Sequence, residues 1–191
     1  EAGVDAEAVR RHLGVRGGVP TILLRPGGIG PTESILEVIQ QITAVGMPFN
    51  LLVLAGKNES LLEALRTFVA PRGVTVRTFG FVNNIHEIMA VSDLMITRAA
   101  GHTVAEAYAA GLPMILLKPT PGVEDRTADW FVERGVAMKA RDAFDLEWIM
   151  NDLLRNQGRA LRQMRDATMS GGRPKGGAAN LAVEKISRAL H

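Results

Sequence analysis

Thr97-Arg98-Ala99-Ala100-Gly101-His102-Thr103-Val104-Ala105-Glu106-Ala107 is the stretch on which the architecture turns. The apolar run over 93–97 reads as a buried strand, and 102–110 reads as a helix, with Gly101 as the hinge between them. At such a junction the first-turn N–H groups of His102 and Thr103 point out of the helix start, where the helix dipole favours an anion. Thr103 adds a hydroxyl, and Glu106 lies one turn further along. Thr-x-x-Glu is equally the pattern of a capping box. From spacing alone, Glu106 is either a cap partner or a carboxylate that holds a ligand.

The same strand, turn and helix alternation extends in both directions. Upstream, 21–24 is a short apolar strand, and Thr32 caps a helix whose Ile35, Leu36, Val38, Ile39 and Ile42 recur at helical spacing. Residues 49–55 form a continuous apolar strand. The helix over 59–69 stops at Pro71-Arg72-Gly73, and 74–79 alternates like a strand. Asn83 caps a short helix that runs to residue 90. Downstream, 112–117 is the fifth strand, 124–133 a helix and 136–139 a last short strand. Helices over 145–155 and 157–168 follow. The Gly-rich stretch 170–177 reads as a linker, and 178–190 as an amphipathic terminal helix.

Six strands alternating with helices predict an α/β fold, a doubly wound six-stranded parallel sheet covered on both faces. The whole of 1–191 is expected to be one domain. Its ligands should bind beyond the carboxyl ends of the strands, in the loops after Leu24, Leu54, Phe79, Ile96 and Leu117. Composition agrees: hydrophobic residues make up 47% of the chain but aromatics only 5%, so the core must be aliphatic. A net charge of +2, with no aromatics among the basic residues, gives no nucleic-acid footprint. The absence of cysteine excludes disulfides and thiolate metal sites and fits a reducing compartment. No apolar run approaches the roughly 20 residues that span a bilayer. The chain begins at Glu1 instead of methionine, so it is expected to be processed or cut from something longer.

Three further loops could carry chemistry. Pro26-Gly27-Gly28-Ile29-Gly30-Pro31 joins a strand to a helix. Its glycines suit either a tight turn or close approach of a phosphate to backbone N–H groups. Gly80-Phe81-Val82-Asn83-Asn84 is either a capped turn or a backbone platform for a flat base. In Lys118-Pro119-Thr120-Pro121-Gly122-Val123-Glu124-Asp125, the acidic pair at least favours the next helix start. The four histidines, His12, His86, His102 and His191, show no metal-ligand spacing. His12 and His86 belong on solvated helix faces.

Taken together, Gly80-Phe81-Val82, Met89, Ser92 to Arg98, Gly101 to Ala107, Gly111-Leu112-Pro113-Met114-Ile115 and Pro121-Gly122 make the chain resemble the C-terminal domain of GT-B-fold glycosyltransferases. The similar groups are monogalactosyldiacylglycerol synthase-like and processive diacylglycerol glucosyltransferase enzymes. The enzyme adding N-acetylglucosamine to the peptidoglycan lipid precursor comes next. The resemblance covers about 4–190 and is most specific over 79–122. It implies a Rossmann-like domain that binds a UDP-sugar, with Glu106 on the ribose hydroxyls and the amides of Gly101, His102 and Thr103 facing the diphosphate. The backbone at Phe81 and Val82 would contact the uracil, and Gly27, Gly28 and Gly30 would form the glycine loop at the cleft. Gly122, Val123 and Glu124 would lie by the hexose.

The resemblance also implies a separate N-terminal acceptor domain that supplies the catalytic base. This chain would therefore hold no catalytic residue and turn over nothing alone. No metal or cofactor beyond the UDP-sugar substrate is expected. The implied location is cytoplasmic, at the inner face of the membrane through the full-length protein. The terminal helix either packs on the acceptor half or lies on the surface. The chain departs from the family where Ala100 replaces a glycine, which is expected to crowd the phosphates or forbid a positive φ. It departs again at Val123 and Thr127, where polar residues usually face the hexose. A degenerate or non-enzymatic nucleotide-binding domain and a nucleotide-sugar 2-epimerase are the alternative readings.

Overall fold

The computed structural model describes residues 5–27 and 30–171, apart from the side chain of Ala143. In chain order the elements are α1 (Ala6–Leu13), β1 (Thr21–Arg25), α2 (Thr32–Thr43), β2 (Phe49–Gly56), α3 (Glu59–Arg66), β3 (Val74–Gly80) and α4 (Ile85–Ala90). They continue with β4 (Leu94–Thr97), α5 (Gly101–Ala109), β5 (Met114–Leu117), α6 (Val123–Val132), β6 (Ala137–Ala140) and α7 (Ala143–Ser170). The strands form one sheet in the order β3-β2-β1-β4-β5-β6, every neighbouring pair parallel. The expected doubly wound sheet is therefore the observed one. Chain order reverses between β1 and β4, which makes that boundary the topological switch point.

The central strands are buried along almost their whole length, because helices cover both faces of the sheet. Their side chains still sort by the strand period of two. Ile22, Leu24, Leu51 and Val53 join the core beneath α2, α3 and α7. Leu23, Leu52 and Leu54 join the opposite core, with α1, α4, α5 and α6. The continuous apolar runs feed both cores.

The sequence pattern misses α1. Its signal is brief: Ala6, Val9 and Leu13 make an apolar stripe over only eight residues, four of them polar or charged. What defines it is capping: the Asp5 carboxylate accepts from the Ala8 amide at 3.0 Å, and Gly14 ends the helix at φ 63°. Two expected caps fall elsewhere. Pro31 takes the cap position before α2, leaving Thr32 as the first helical residue, and Asn84 replaces Asn83 before α4 without making a cap bond. Helix α3 stops at Arg66, three residues early, with Thr67 as its C-cap. Residues 155–158 break α7 into the two helices expected, with Asn156, Gln157 and Gly158 all at positive φ. The terminal helix over 178–190 and most of its linker lie outside the described residues.

The second half of α7 crosses the amino edge of the sheet. Leu161 and Met164 sit in the first core and Ala167 packs on the second. Arg165 pairs with Asp93 at 2.9 Å, and the Tyr108 hydroxyl donates to the Gly171 carbonyl at 2.8 Å. Beside this crossing, fully buried Asn50 accepts from the Arg16 amide and donates to the Arg16 carbonyl and the Thr21 hydroxyl.

Candidate functional site

At the switch point, Arg25 ends β1 directly opposite Thr97, which ends β4. The Thr97 hydroxyl donates to the Arg25 carbonyl at 3.1 Å and ties the two strand ends together. From here the two chains diverge, one into 26–31 and the other through Arg98 and Ala99 into α5. The resulting gap is where a doubly wound sheet accepts a ligand.

Helix α5 begins at Gly101 with Ala100 as its cap residue, and a methyl group cannot cap. The amides of Gly101, His102 and Thr103 are the first-turn donors and receive no cap from the described residues. This placement rules out the capping box. Thr103 is the third residue of the helix, so Glu106 cannot be its reciprocal partner. The Glu106 carboxylate instead turns back to β1, where its Oε2 accepts from Arg25 Nη1 at 2.8 Å. Its Oε1 has no partner among the described residues. Thr103 is buried as a residue, yet among the described residues its hydroxyl makes no bond and no fully buried side-chain oxygen is unpaired. The hydroxyl therefore keeps contact with solvent.

The backbone half of the concern over Ala100 disappears. Its φ of −70° and ψ of 123° are ordinary extended backbone, open to any residue. Gly101 is no strained hinge either: it is helical, and a Cβ there would meet nothing within 4 Å. Two other positions do need glycine, Gly30 at φ 138° and Gly122 at φ 105°, both just ahead of helices.

A cleft of about 360 Å³ opens beside the switch point, over the carboxyl ends of β1, β2 and β3. Arg25, Gly27, Gly30, Phe81, Val82 and Ile85 are among its walls. Gly28 lies outside the described residues. Phe81 is 70% exposed although it is a large apolar side chain. The structure thus joins the glycine loop to the Phe81-Val82 turn directly, and joins both to Glu106 through Arg25.

The third group stands on the far side of α5. Gly122 precedes α6, and Val123 is its exposed first residue. Glu124 is engaged: its Oε2 accepts from Arg98 Nη2 at 2.6 Å and from the Thr120 amide at 2.9 Å. Burial works to raise the Glu124 carboxyl. The Arg98 guanidinium and the hydrogen bonds from Thr120 outweigh it and hold the group below its ordinary value. The Thr127 hydroxyl is spent on the Val123 carbonyl at 2.7 Å, and the residue is buried. His12 and His86 are exposed on α1 and α4. Among the described residues, no three His, Asp or Glu side chains gather as a metal site, and no helix is long and apolar enough to cross a membrane.

Sequence reasoning overlooked Arg25 and Arg98. Each is a charge placed directly after a buried apolar run, at a strand's carboxyl end. That signal was available, but their partners lie 81 and 26 residues away.

A doubly wound domain with an uncapped helix start, a carboxylate and a glycine loop converging at its switch point is the form of a nucleotide-binding α/β domain. Residues 32–181 match the glycosyltransferase family 28 C-terminal domain, and the chain belongs to that family. It is 34% identical over 154 residues to a processive diacylglycerol beta-glucosyltransferase of Bacillus cereus, covering 81% of this chain and 39% of that protein. The counterpart of Bacillus subtilis is 34% identical over 117 residues, covering 61% of this chain and 30% of its own. The chain thus spans well under half the length of these curated relatives. Among solved structures, Acinetobacter baumannii MurG aligns with a TM-score of 0.64 at 20% identity, over 89% of this chain and 52% of that one. WaaG, a glycosyltransferase involved in lipopolysaccharide biosynthesis, aligns at 0.65 and 19% identity, over 96% and 51%. These likenesses concern the fold.

Proposed function

We propose that this chain is the sugar-donor half of a glycosyltransferase that moves a hexose from a UDP-sugar to a lipid or lipid-linked acceptor hydroxyl. The observation that carries the reading is the half-free Glu106 carboxylate beside the uncapped start of α5 at the switch point. In this reading Glu106 Oε1 accepts from a ribose hydroxyl, a charged bond worth roughly 1.5–3 kcal/mol. The uracil lies against Phe81 and the backbone of Val82, in the cleft that those residues line. The diphosphate meets the amides of Gly101, His102 and Thr103, with Gly27 and Gly30 of the glycine loop opposite. Gly122 and Val123 border the hexose, while Glu124 holds their loop to Arg98.

When the bond from the anomeric carbon to the diphosphate breaks, negative charge grows on the departing UDP. The α5 amides are already aimed where that charge appears, so they stabilise the transition state more than the ground state. The acceptor hydroxyl must lose its proton to a base. That base belongs to an acceptor domain elsewhere in the full-length protein, which would also meet the cytoplasmic face of the membrane. The diacylglycerol acceptor named for the Bacillus relatives supports the lipid assignment.

Isothermal titration of the chain with UDP, UDP-hexoses and ADP tests the nucleotide half of the proposal. UDP should bind and ADP should not, and Glu106→Ala should weaken UDP by roughly 50-fold or more, consistent with loss of one charged contact pair. No heat with UDP at millimolar concentration would refute it. Product analysis on the full-length protein separates sugar transfer from epimerisation.

A further inference from the structure

We infer that Arg25 is a positioning residue of the nucleotide site, holding one oxygen of Glu106 so that the other is presented to a ribose hydroxyl. The inference rests on the nucleotide reading above and adds a residue to it. Arg25 is the one charged position of β1, whose four preceding residues are all buried. Its backbone is pinned by the Thr97 hydroxyl, so the guanidinium starts from a defined point. From there it does two things at once: it lines the cleft of Phe81 and Val82, and it donates to Glu106 Oε2 at 2.8 Å.

The physical need is clear. An unpartnered glutamate on the second turn of α5 would sample several rotamers, and ordering it on binding would cost side-chain entropy. A carboxylate standing near a diphosphate would also repel it. The guanidinium answers both needs, because it selects one rotamer and balances the charge. Both side chains are partly exposed, 27% for Arg25 and 37% for Glu106, so the pair adds little to stability. Its effect should fall on binding.

A double-mutant cycle tests this, with Arg25→Met, Glu106→Gln and the pair titrated with UDP and with 2′-deoxy- and 3′-deoxy-UDP. Wild type should prefer UDP over at least one deoxy analogue by about tenfold, and Arg25→Met should weaken UDP by about tenfold and shrink that preference to about twofold. The double variant should bind no more than about twofold worse than Glu106→Gln alone, because the two act through one contact. Thermal melting should move little. Arg25→Lys keeps the stem and one donor and stands in should Arg25→Met not fold. It should weaken UDP about threefold, again without adding to Glu106→Gln. Unchanged UDP affinity in both Arg25 variants would overturn the inference, as would losses that add to those of Glu106→Gln while ribose discrimination survives. Either result leaves UDP binding by wild type intact. Failure of wild type to bind UDP instead defeats the nucleotide reading, and this inference with it.

Discussion

The two edges of the sheet invite opposite guesses about function. The amino edge holds the larger hollow, about 950 Å³, rimmed by Arg10, Arg11, Arg16, Arg159, Arg162 and Arg165. The carboxyl-edge cleft is about 360 Å³. Volume alone would choose the amino edge, away from the proposed site. At the amino edge the buried polar groups close on one another: Asp93 takes the Thr21 amide with one oxygen and Arg165 with the other, and Asn50 is saturated by Arg16 and Thr21. At the carboxyl edge a helix starts uncapped, Glu106 keeps an oxygen in reserve and the Thr103 hydroxyl waits unpaired. Backbone and carboxylate groups that cannot be satisfied from within the fold are the better mark of a site.

Four substitutions would break or sharpen that contrast. The largest effect belongs to the amino edge. Asn50→Ala empties a fully buried position and unpairs the part-buried Arg16 backbone and the buried Thr21 hydroxyl, and should cost about 3 kcal/mol of stability. Urea denaturation measures it, and UDP affinity of the folded fraction should not change. Thr103→Val keeps shape and removes the hydroxyl at the carboxyl edge. It should leave stability alone and weaken UDP about tenfold by titration calorimetry, roughly the worth of one hydrogen bond to a charged group.

Glu124 gives a pH signature. It is held below its ordinary value of 4.5 in the folded chain, so its stabilisation is complete above that value and is lost as pH falls beneath it. Wild type should exceed Glu124→Gln by about 1 kcal/mol at pH 7, a modest value for a partly exposed pair. Denaturation at pH 3 should show the gap closing. A constant gap across this range would mean that the carboxylate charge is not what holds the 120–124 loop. The smallest effect is expected of Ala100→Gly. Because Ala100 already has an unstrained backbone, the change should cost under about 1 kcal/mol through backbone entropy alone and should not improve UDP binding beyond about twofold. A large gain in affinity would show that the methyl does crowd the phosphates.

Much of the carboxyl edge was legible in the chain. Each strand-to-helix junction carries its own local signal, as at Gly101-His102-Thr103 and Gly27 to Gly30, and alternation placed those junctions on one edge. Glu106 was legible as a candidate but ambiguous, since spacing cannot tell a cap from a ligand group. Helix α1 escaped notice because its apolar stripe of Ala6, Val9 and Leu13 spans only eight residues, with Asp5 and Gly14 capping its ends.

The order of apolar runs and turns determined the doubly wound sheet by itself, because burial on both faces and right-handed crossovers leave few arrangements for six such strands. Tertiary structure decided which side chains meet. Arg25 and Glu106 are 81 residues apart, and Arg98 and Glu124 are 26 apart. Only the register that sets Arg25 opposite Thr97 brings the end of β1 against the second turn of α5. Local patterns record what each segment does to its own backbone, whereas pairing across a switch point depends on the sheet as a whole.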